Sequence, residues 1–590
     1  MSIRNVAIIA HVDHGKTSMV DQLFRQSGLF RENQAVAERL MDSMDLERQR
    51  GITIQSKTGG YTYKGTRVNI IDTPGHADFG GQVERVLGMA DGALLLVDAQ
   101  EGPMPQTYFV LKKALALSLP IIVVVNKIDK PAARCDWTVD QVFDLFVKLE
   151  APDHILEFPV IYASAKEGFA RLEPEDDVHT LEPLYDAILE HIPEPELDPE
   201  GPVQLLVSSL DYSPYLGRLG IGKITSGTLR TNMDVVVAKR DGSMVNARIS
   251  KLYRFEADGK VAVDEAVAGD IVAVAGREDI TVGVTYTDKQ NPIPLPPIEI
   301  DPPTLSMNFV PNDSPFAGRE GEYVTSRHIE DRLRRETLSD IALHVEELTD
   351  AVGYRVSGRG ELHLSILIER MRREGFEFQV TRPQVITKEV DGEVLEPYED
   401  VTVDVDEQFA GTVINKLNER KGRMLEMTNR EGMSRLVYRM PTRGILGFRG
   451  EFMTDTKGMG TLSYVFAEYG AYAGDIKNRA NGVLITKEPC TTNAYALNNL
   501  QDRGVLFVGP GVESYRGMII GENARWNDLV VNPGKGKKLT NMRASGSDDN
   551  VQLAPPRQLS LEDCIAYIND DELVEVTPQN IRLRKRVVPT

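Results

Sequence analysis

Cysteine is scarce in this chain. Only three occur among the 590 residues, Cys135, Cys490 and Cys564, and they lie far apart with no CxxC pair among them. This spacing excludes a disulfide framework and the usual structural zinc sites. We expect each of the three thiols to be a small, buried, apolar side chain.

The chain also lacks an excess of basic residues and any long hydrophobic run. Its 67 lysines and arginines face 88 aspartates and glutamates, and the net charge of -21 argues against a general nucleic-acid coat and against DNA as a partner. No apolar run approaches the ~20 residues that cross a bilayer. The N-terminus passes from a short apolar run straight into charged residues, unlike a signal peptide. We therefore expect a cytoplasmic protein with no membrane partner.

The length allows about three to six domains at roughly 100–200 residues each. Two proline-rich segments mark boundaries, Ile192–Pro202 and Pro292–Pro303, because proline fits neither a helix interior nor a central strand. Between them, short β-branched runs with glycine turns predict a small β-barrel. Beyond them, two stretches each combine strand-like runs with one clear helix, Glu361–Glu374 or Phe409–Lys421, which indicates α+β domains. The predicted domains are residues 1–195, 203–300, 304–388, 392–480 and 481–590.

The first 195 residues are predicted to form an α/β unit with buried parallel strands. The predicted strands are the apolar runs Val6–Ala10, Val68–Ile71, Ala93–Val97, Ile121–Val125 and Val160–Ala163. Helical stretches such as Gln106–Ser118 and Val139–Leu149 separate them. Because ligands of open α/β sheets bind beyond the carboxyl ends of the strands, the polar clusters that follow these runs should meet in space.

The first polar cluster follows the first strand and precedes a helical stretch. Residues 10–17, AHVDHGKT, fit the phosphate-binding pattern GxxxxGK[ST], with Ala10 in place of the first glycine. Gly15 allows the backbone to approach a phosphate, which the loop N–H groups and the helix N-terminus attract. Lys16 would reach the β- and γ-phosphates, and the Thr17 hydroxyl would bind Mg²⁺. The predicted nucleotide-binding residues of this loop are Asp13, His14, Gly15, Lys16, Thr17 and Ser18.

The second cluster, DTPGH, begins at Asp72 directly after a predicted strand. The Asp72 carboxylate would support Mg²⁺ from behind its direct ligands. The Gly75 N–H would sense a γ-phosphate, and His76 would orient a water molecule for attack. Thr53, in the segment between the first two clusters, has a hydroxyl that would complete Mg²⁺ coordination only when a γ-phosphate is present.

The third and fourth clusters predict specificity for guanine. Asp129 would accept hydrogen bonds from guanine N1–H and the N2 amine, whereas adenine lacks this pair and would leave a buried charge unsatisfied. Asn126 would hold neighbouring loops, and the Lys127 stem would pack on the nucleoside. The residues whose N–H groups would face guanine O6 are Ser164, Ala165 and Lys166.

Taken singly, each cluster also fits an ordinary turn, an edge strand or a strand–turn–helix. Their order, and their positions at the ends of predicted strands, together favour a Mg²⁺-dependent, guanine-specific nucleoside triphosphatase that binds GTP and GDP. Phosphoryl transfer of this kind depends on positioning and charge rather than on covalent chemistry.

The motifs AHVDHGKT, RGITI, DTPGH, NKID and SAK resemble those of the translational GTPases, the superfamily of elongation factor G and LepA. The resemblance covers most of the chain. It implies a P-loop GTPase domain, a β-barrel domain, two α+β (ferredoxin-like) domains and a family-specific C-terminal domain. Residues 357–364 and 382–384 are similar to domain III of elongation factor G, and residues 395–397, 413–414 and 420–422 to the start of its domain V.

One domain of elongation factor G has no counterpart here. Residues 382–389 are followed within a few positions by residues 394–401, where that factor has domain IV, the arm that enters the decoding region. The gap argues against a translocase and against tetracycline ribosomal-protection proteins. Two families share it, LepA and BipA (also called TypA). The tail segments 521–524, 532–543 and 576–585 resemble BipA rather than LepA.

The resemblance to BipA implies a ribosome-dependent GTPase that acts in translation or in large-subunit assembly under stress. The metal-binding residues that it implies are Thr17 and Thr53, with Asp72 behind them, and Asp13 for a monovalent cation. The catalytic residue that it implies is His76, restrained off the ribosome by an apolar gate of Val12 and Ile52. No arginine finger is evident, and the resemblance implies that ribosomal RNA orders the site instead.

Two other functions fit the same sequence. One is a LepA-like elongation factor. The other is a nucleotide-gated ribosome-binding module in which turnover only resets the bound state. Guanosine tetraphosphate is a further candidate ligand, and we expect a monomer.

The tail contains a basic loop. Residues 531–547 include no acidic side chain and four basic ones, Lys535, Lys537, Lys538 and Arg543. Surrounded by glycine and polar residues, they predict a flexible loop that contacts RNA phosphates, although a solvated surface loop has the same composition. The resemblance to BipA implies contact with ribosomal RNA and the acceptor end of an A-site tRNA.

Two further features of the tail are local. The basic run 582–586 fits either a second RNA contact or a strand with a solvated face. Ser560 with Asp563 predicts a helix N-terminus, and Cys564 lies on the apolar face of that helix.

Overall fold

The structure is a computed structural model with two compact units, residues 1–301 and 302–590. It describes residues 2–11, 13–28, 56–74, 80–195, 197–213, 215–257, 259–296, 303–340, 342–430, 432–458, 460–476, 479, 481–536 and 553–587. Within these ranges, no helix combines the length and the apolar character that crossing a membrane requires.

The first unit begins with an α/β domain. Its elements are β1 (Ile3–Ala10), α1 (Lys16–Gln26), β2 (Lys57–Tyr63), β3 (Thr66–Asp72), α2 (Gly80–Leu87), β4 (Gly92–Asp98), α3 (Pro105–Ala116), β5 (Ile121–Asn126), α4 (Cys135–Lys148), α5 (Asp153–Leu156), β6 (Val160–Ser164), β7 (Phe169–Arg171) and α6 (Glu182–His191). The strand order is β2-β3-β1-β4-β5-β6-β7. Strands β3, β1, β4, β5 and β6 are parallel, which confirms the five predicted strands.

Helices cover both faces of this sheet. Apolar side chains of α1 and α6 pack on one face, and those of α2, α3 and α4 pack on the other. The central strands are buried on both sides, which explains why they appear in the sequence as unbroken apolar runs. The carboxyl ends of the parallel strands therefore lie along one edge, where the polar clusters follow.

A β domain completes the first unit. Its elements are β8 (Gln204–Leu206), β9 (Ser209–Ser213), β10 (Gly217–Ser226), β11 (Thr228–Arg230), β12 (Asp234–Ala238), β13 (Met244–Arg248), β14 (Lys251–Glu256), β15 (Gly259–Val263), β16 (Glu265–Val267), β17 (Ile271–Ala275) and β18 (Thr285–Thr287). Antiparallel pairing runs in the order β13-β12-β18-β8-β10-β17-β14-β15 around an apolar core. Leu219, Phe255 and Ile271 also join the core of the α/β domain, so the two domains share buried apolar surface.

The second unit contains three sequence segments. The first has β19 (Leu305–Pro311), α7 (Ser326–Ser339), β20 (His344–Glu347), β21 (Tyr354–Gly358), α8 (Glu361–Arg373), β22 (Phe378–Val380) and β23 (Gln384–Val385). The second has β24 (Lys388–Val390), β25 (Glu393–Asp406), α9 (Glu407–Glu419), β26 (Arg423–Arg430), β27 (Met433–Pro441), α10 (Thr442–Ile445), α11 (Phe448–Asp455) and β28 (Thr461–Ala471). The third has β29 (Val483–Thr486), β30 (Cys490–Thr491), α12 (Ala494–Gln501), β31 (Gly504–Leu506), β32 (Glu513–Ser514), β33 (Met518–Asn523), β34 (Leu529–Val531), α13 (Leu561–Tyr567), β35 (Glu572–Val576) and β36 (Ile581–Lys585).

One sheet joins the first and third of these segments. Strand β22 pairs with β35 in antiparallel register, with Gln379 opposite Glu575, and the strand order is β20-β21-β19-β22-β35-β36-β33-β29-β34. The core beneath this sheet mixes side chains from both segments. The two segments are about 100 residues apart in the chain, and sequence patterns give no sign of this pairing.

The cysteines agree only partly with expectation. Cys564 is buried on α13, whose N-terminus is the predicted capping pair: Ser560 Oγ accepts from the Asp563 N–H at 3.1 Å, and Asp563 accepts in return from the Ser560 N–H. Cys135 and Cys490 are half-buried, so the expectation of full burial is wrong for these two. All three thiols are free.

Candidate functional site

The phosphate-binding loop lies between β1 and α1. Gly15 is the residue before the first helical residue, and its φ of 93° is a left-handed conformation that favours glycine. A Cβ at this position would lie 2.4 Å from Asn126 Nδ2. Glycine is thus required both by the backbone and by the close approach of a second loop. Asp13 also has a positive φ, 67°, which gives the loop its tight course.

Lys16 connects the first two predicted clusters. Its ammonium lies 3.1 Å from Asp72 Oδ1 and also donates to the Thr73 carbonyl. Both side chains are buried, and Asp72 is fully inaccessible. The Thr73 hydroxyl donates to the Ile8 carbonyl at 2.8 Å, which fixes the end of β3 beside β1. The clusters after β1 and β3 therefore meet, as the strand order requires.

Asn126 connects three clusters at once. Its Nδ2 donates to the His14 carbonyl at 2.8 Å, and its Oδ1 accepts from the Ala165 N–H at 2.9 Å. The side chain is completely buried. The phosphate-binding loop, the loop after β5 and the loop after β6 are thus held together by a single amide group, which uses both its donor and its acceptor.

The remaining predicted residues lie around these loops. Ser164 is buried, and its hydroxyl accepts from the Glu167 N–H at 3.2 Å. The Lys166 side chain is 82% exposed. Asp129 and Ser18 are exposed, whereas Thr17, in the first turn of α1, is half-buried. An exposed carboxylate at Asp129 and a solvent-facing loop at Lys166 leave this side of the cluster accessible to a ligand.

Two acidic residues that sequence reasoning missed belong to the same edge. Asp98 ends β4, and its carboxylate accepts from Lys127 Nζ at 2.7 Å. Its backbone N–H donates to His14 Nδ1 at 3.3 Å, and His14 Nε2 lies 3.4 Å from Glu101. The signal was available, because β4 is a predicted strand and its carboxyl end lies at the same edge as the others.

The ionisation of both acids fits these contacts. Burial raises the pKa of Asp98, but the hydrogen bonds from Lys127 and from the Gln100 N–H outweigh it, and the net shift is downward. The hydrogen bond to His14 holds the pKa of Glu101 below its ordinary value. Both groups are therefore charged at neutral pH.

Several predicted residues lie outside the described residues. They are Thr53, Gly75 and His76, the gate residues Val12 and Ile52, and the basic residues Lys537, Lys538 and Arg543. Their assigned roles stay predictions. Lys535 is described, and it is exposed.

The second basic run of the tail is a strand, as one of the two readings predicted, but its face is not solvated. In β36, Arg582 pairs with Glu320 and with Glu575, and its side chain is only 11% exposed. Arg584 lies 2.6 Å from Asp313, and Lys585 contacts three carboxylates. Among these carboxylates Glu572 and Glu575 are buried, whereas Asp313 and Asp571 are exposed. The three cations of the strand are neutralised within the protein, which argues against a second RNA-binding surface there; Arg586, beyond the strand, is exposed.

The chain matches four family models along its length. Their descriptions are the elongation factor Tu GTP binding domain over residues 1–194, elongation factor Tu domain 2 over residues 217–287, the elongation factor G C-terminus over residues 393–480, and the TypA/BipA C-terminal domain over residues 481–590.

Relatives named "large ribosomal subunit assembly factor BipA" are similar over almost the whole chain. The Escherichia coli protein is 53% identical over 586 residues, 99% of this chain and 96% of its own. The Synechocystis protein is 52% identical over 586 residues (99% and 98%), and the Bacillus subtilis protein is 50% identical over 588 residues (99% and 96%).

A crystal structure of a Thermus thermophilus protein superposes with a TM-score of 0.53 at 18% identity, covering 80% of this chain and 97% of that one, which shows a shared fold alone. The match of the tail to the TypA/BipA model favours BipA over LepA, as the tail segments predicted. With its GTP-binding domain and its near full-length similarity to these relatives, the chain belongs to the TypA/BipA family of translational GTPases.

Proposed function

We propose that this GTPase hydrolyses GTP on the ribosome, in the cytoplasm, and acts in assembly of the large subunit or in translation under stress. The observation that supports it is the convergence of the phosphate-binding loop, Asp72 and the two base-recognition loops around Asn126. The printed name of its relatives, a large-subunit assembly factor, supports the ribosomal role.

The nucleotide would lie across the carboxyl edge of the sheet. The loop N–H groups before α1 would bind the phosphates, and Lys16 would contact the β- and γ-phosphates. Asp129, which is exposed, would accept from the guanine base, and the N–H groups of residues 164–166 would face its O6. Because Asn126 holds these loops together, phosphate and base contacts form on one preassembled surface.

The residues at the phosphate end fit a magnesium ion. Asp72 is a fully buried carboxylate, and Thr17 brings a hydroxyl to the same end of the sheet. Oxygen ligands of this kind, together with nucleotide phosphates, are what Mg²⁺ prefers. Thr17 and Thr53 would hold the ion and Asp72 would support it. When bound, the ion neutralises charge on the phosphates. Asp13 is a candidate ligand for a monovalent cation.

Hydrolysis needs a positioned water molecule. We assign its orientation to His76, with Gly75 sensing the γ-phosphate and Val12 and Ile52 restraining His76 until the ribosome is bound. Intrinsic hydrolysis would therefore be slow, and ribosome binding would accelerate it by ordering the site rather than by supplying an arginine finger. GDP, or guanosine tetraphosphate, would occupy the same base and phosphate contacts without the γ-phosphate.

The C-terminal domain would contact RNA. Lys535 is exposed at the start of the basic loop, next to the exposed Gly536, and is available to a phosphate. With Lys537, Lys538 and Arg543, it would give the loop four cations for ribosomal RNA or the acceptor end of an A-site tRNA.

The test is the rate of GTP hydrolysis by the chain alone, with whole ribosomes and with separated subunits. We expect slow intrinsic turnover and strong stimulation by whole ribosomes. An equal rate in all samples would refute the ribosomal role. His76→Ala should lose the stimulation but retain nucleotide binding. If that variant still complements a deletion strain, the nucleotide-gated binding module becomes the better account, because turnover is then not the essential output.

A further inference from the structure

Asp98 is a buried carboxylate at the carboxyl edge of the sheet, where the nucleotide would bind. It is fully inaccessible and lies at the end of β4, between β1, which leads to the phosphate-binding loop, and β5, which leads to Lys127 and Asp129. Its Oδ2 accepts from Lys127 Nζ at 2.7 Å and lies 3.4 Å from Lys130 Nζ, while its Oδ1 accepts from the Gln100 N–H at 2.7 Å. A buried charge with this many donors is well compensated.

The contact with Lys127 fixes a strained residue. Lys127 has a φ of 64°, a left-handed conformation that is uncommon for a residue with a Cβ. Its backbone belongs to the loop after β5, whereas its ammonium is held at the end of β4. The four-carbon stem therefore spans the gap between two strand ends and is only 23% exposed. Without the carboxylate, this long side chain would have many rotamers.

The backbone of Asp98 fixes the other loop. Its N–H donates to Nδ1 of His14, a fully buried residue of the phosphate-binding loop, and the opposite ring nitrogen lies 3.4 Å from Glu101. Asn126 joins the same two loops through the His14 carbonyl. Asp98 thus provides a second connection between the two loops, through its backbone N–H to the His14 ring and through its carboxylate to Lys127.

We propose that Asp98 is a positioning residue for guanine-nucleotide binding, which holds the Lys127 stem and His14 in their binding arrangement before the nucleotide arrives. The proposal rests on the assignment of Lys127 and the phosphate-binding loop to the nucleotide site. Ordering these groups in advance lowers the entropic cost of binding.

The position of Asp98 also predicts which nucleotides bind more weakly when its carboxylate is removed. Its carboxylate accepts from or lies beside residues 100, 127 and 130, and strand β1 separates β4 from β3, the strand that ends at Asp72 on the side of the Mg²⁺ and the γ-phosphate. GDP and GTP should therefore depend on Asp98 equally. An effect through Mg²⁺ or through the γ-phosphate would instead weaken GTP more than GDP.

The test compares dissociation constants of fluorescent GDP and of a non-hydrolysable GTP analogue for the isolated full chain. Asp98→Asn keeps the shape but removes a charge-assisted hydrogen bond, and we expect both nucleotides to bind about 10- to 100-fold more weakly, by the same factor within about threefold. Lys127→Met keeps the stem without the ammonium and should give a similar loss. In the double variant the losses should not multiply, because both changes remove one interaction.

Lys130→Met is the matched control. Lys130 contacts the same oxygen at the longer distance of 3.4 Å and is 39% exposed, so its loss should change nucleotide affinity by less than about threefold.

If Asp98→Asn binds both nucleotides like the parent while its melting temperature falls, the role of Asp98 is structural and the proposal is wrong. Multiplying losses in the double variant, or a loss confined to GTP, would also overturn it. Where Asp98→Asn fails to fold, Lys127→Met decides, because parent-like binding by that variant excludes the mechanism. If ribosomes do not stimulate GTP hydrolysis, the proposed function is wrong, but these nucleotide affinities are unchanged.

Discussion

The amide of Asn126 offers a test of how far one buried hydrogen-bonding group determines nucleotide binding. Asn126→Ala would leave the His14 carbonyl and the Ala165 N–H without their bonds of 2.8 and 2.9 Å. A buried polar group that loses its partner costs about 1–3 kcal/mol, so two such groups give about 2–6 kcal/mol. At about 1.4 kcal/mol per factor of ten, the lower figure alone corresponds to about a 30-fold change in an equilibrium constant.

Asn126→Asp separates the two bonds. The carboxylate still accepts from the Ala165 N–H, but an oxygen replaces the donor that faces the His14 carbonyl, and a charge is buried. We therefore expect Asn126→Asp to bind GDP no more tightly than Asn126→Ala, although aspartate is closer to asparagine in shape. The assay is the dissociation constant for GDP, with thermal unfolding measured with and without saturating GDP.

The control is Asn493→Ala in the second unit. Its side chain accepts from the Ala496 N–H at 2.8 Å at a helix N-terminus, so its loss should cost about 1 kcal/mol of stability and leave GDP affinity unchanged. If Asn126→Asp binds GDP within threefold of the parent, the donor to the His14 carbonyl is not needed, and the reasoning about loop convergence fails.

Four other outcomes follow from particular residues. Asp129→Asn should shift preference from GTP toward xanthosine triphosphate, since the amide donates to the extra base oxygen; an unchanged preference in competition binding would contradict the base assignment. Glu575→Gln should destabilise the second unit by about 1.5–3 kcal/mol in denaturant unfolding, because the buried carboxylate accepts from Ser314, Asn312 and Arg582. The control Glu513→Gln, in an exposed pair with Arg319, should cost less than about 1 kcal/mol, and equal losses of stability would show that burial does not matter there. Burial raises the pKa of the Cys564 thiol to about 12, so alkylation at pH 8 should spare it in the folded protein and modify it after denaturation, as read by peptide mass spectrometry; rapid native labelling would mean that α13 opens. Lys535→Ala should reduce the salt dependence of ribosome binding by about one counterion, while the exposed Lys487→Ala should not; matching slopes would exclude a phosphate contact at Lys535.

Local patterns were sufficient where the chemistry is local. The apolar runs predicted the five parallel strands, because strands buried on both faces must be continuously apolar. The position of Gly15 before a helix predicted the phosphate-binding loop, and Ser560 with Asp563 predicted the start of α13. Each of these features depends on residues within a few positions of one another.

The basic run 582–586 shows where such patterns fail. Its composition fits a solvated or RNA-binding face, yet Arg582 pairs with Glu320 and Arg584 with Asp313, partners 262 and 271 residues away. Whether a cation is free or neutralised depends on which carboxylate the fold brings beside it. Composition does not specify which carboxylate that is, because charges interact through space and not along the chain.

The sequence by itself determined the nucleotide motifs, the strand ends that present them and the family-specific tail, since these depend on short-range spacing. Only the tertiary structure decided that β22 pairs with β35 to join two distant segments in one sheet, and that Asp98 connects His14 with Lys127. Backbone pairing between distant strands and the burial of a carboxylate between loops are both set by packing of the whole unit. No local pattern specifies them.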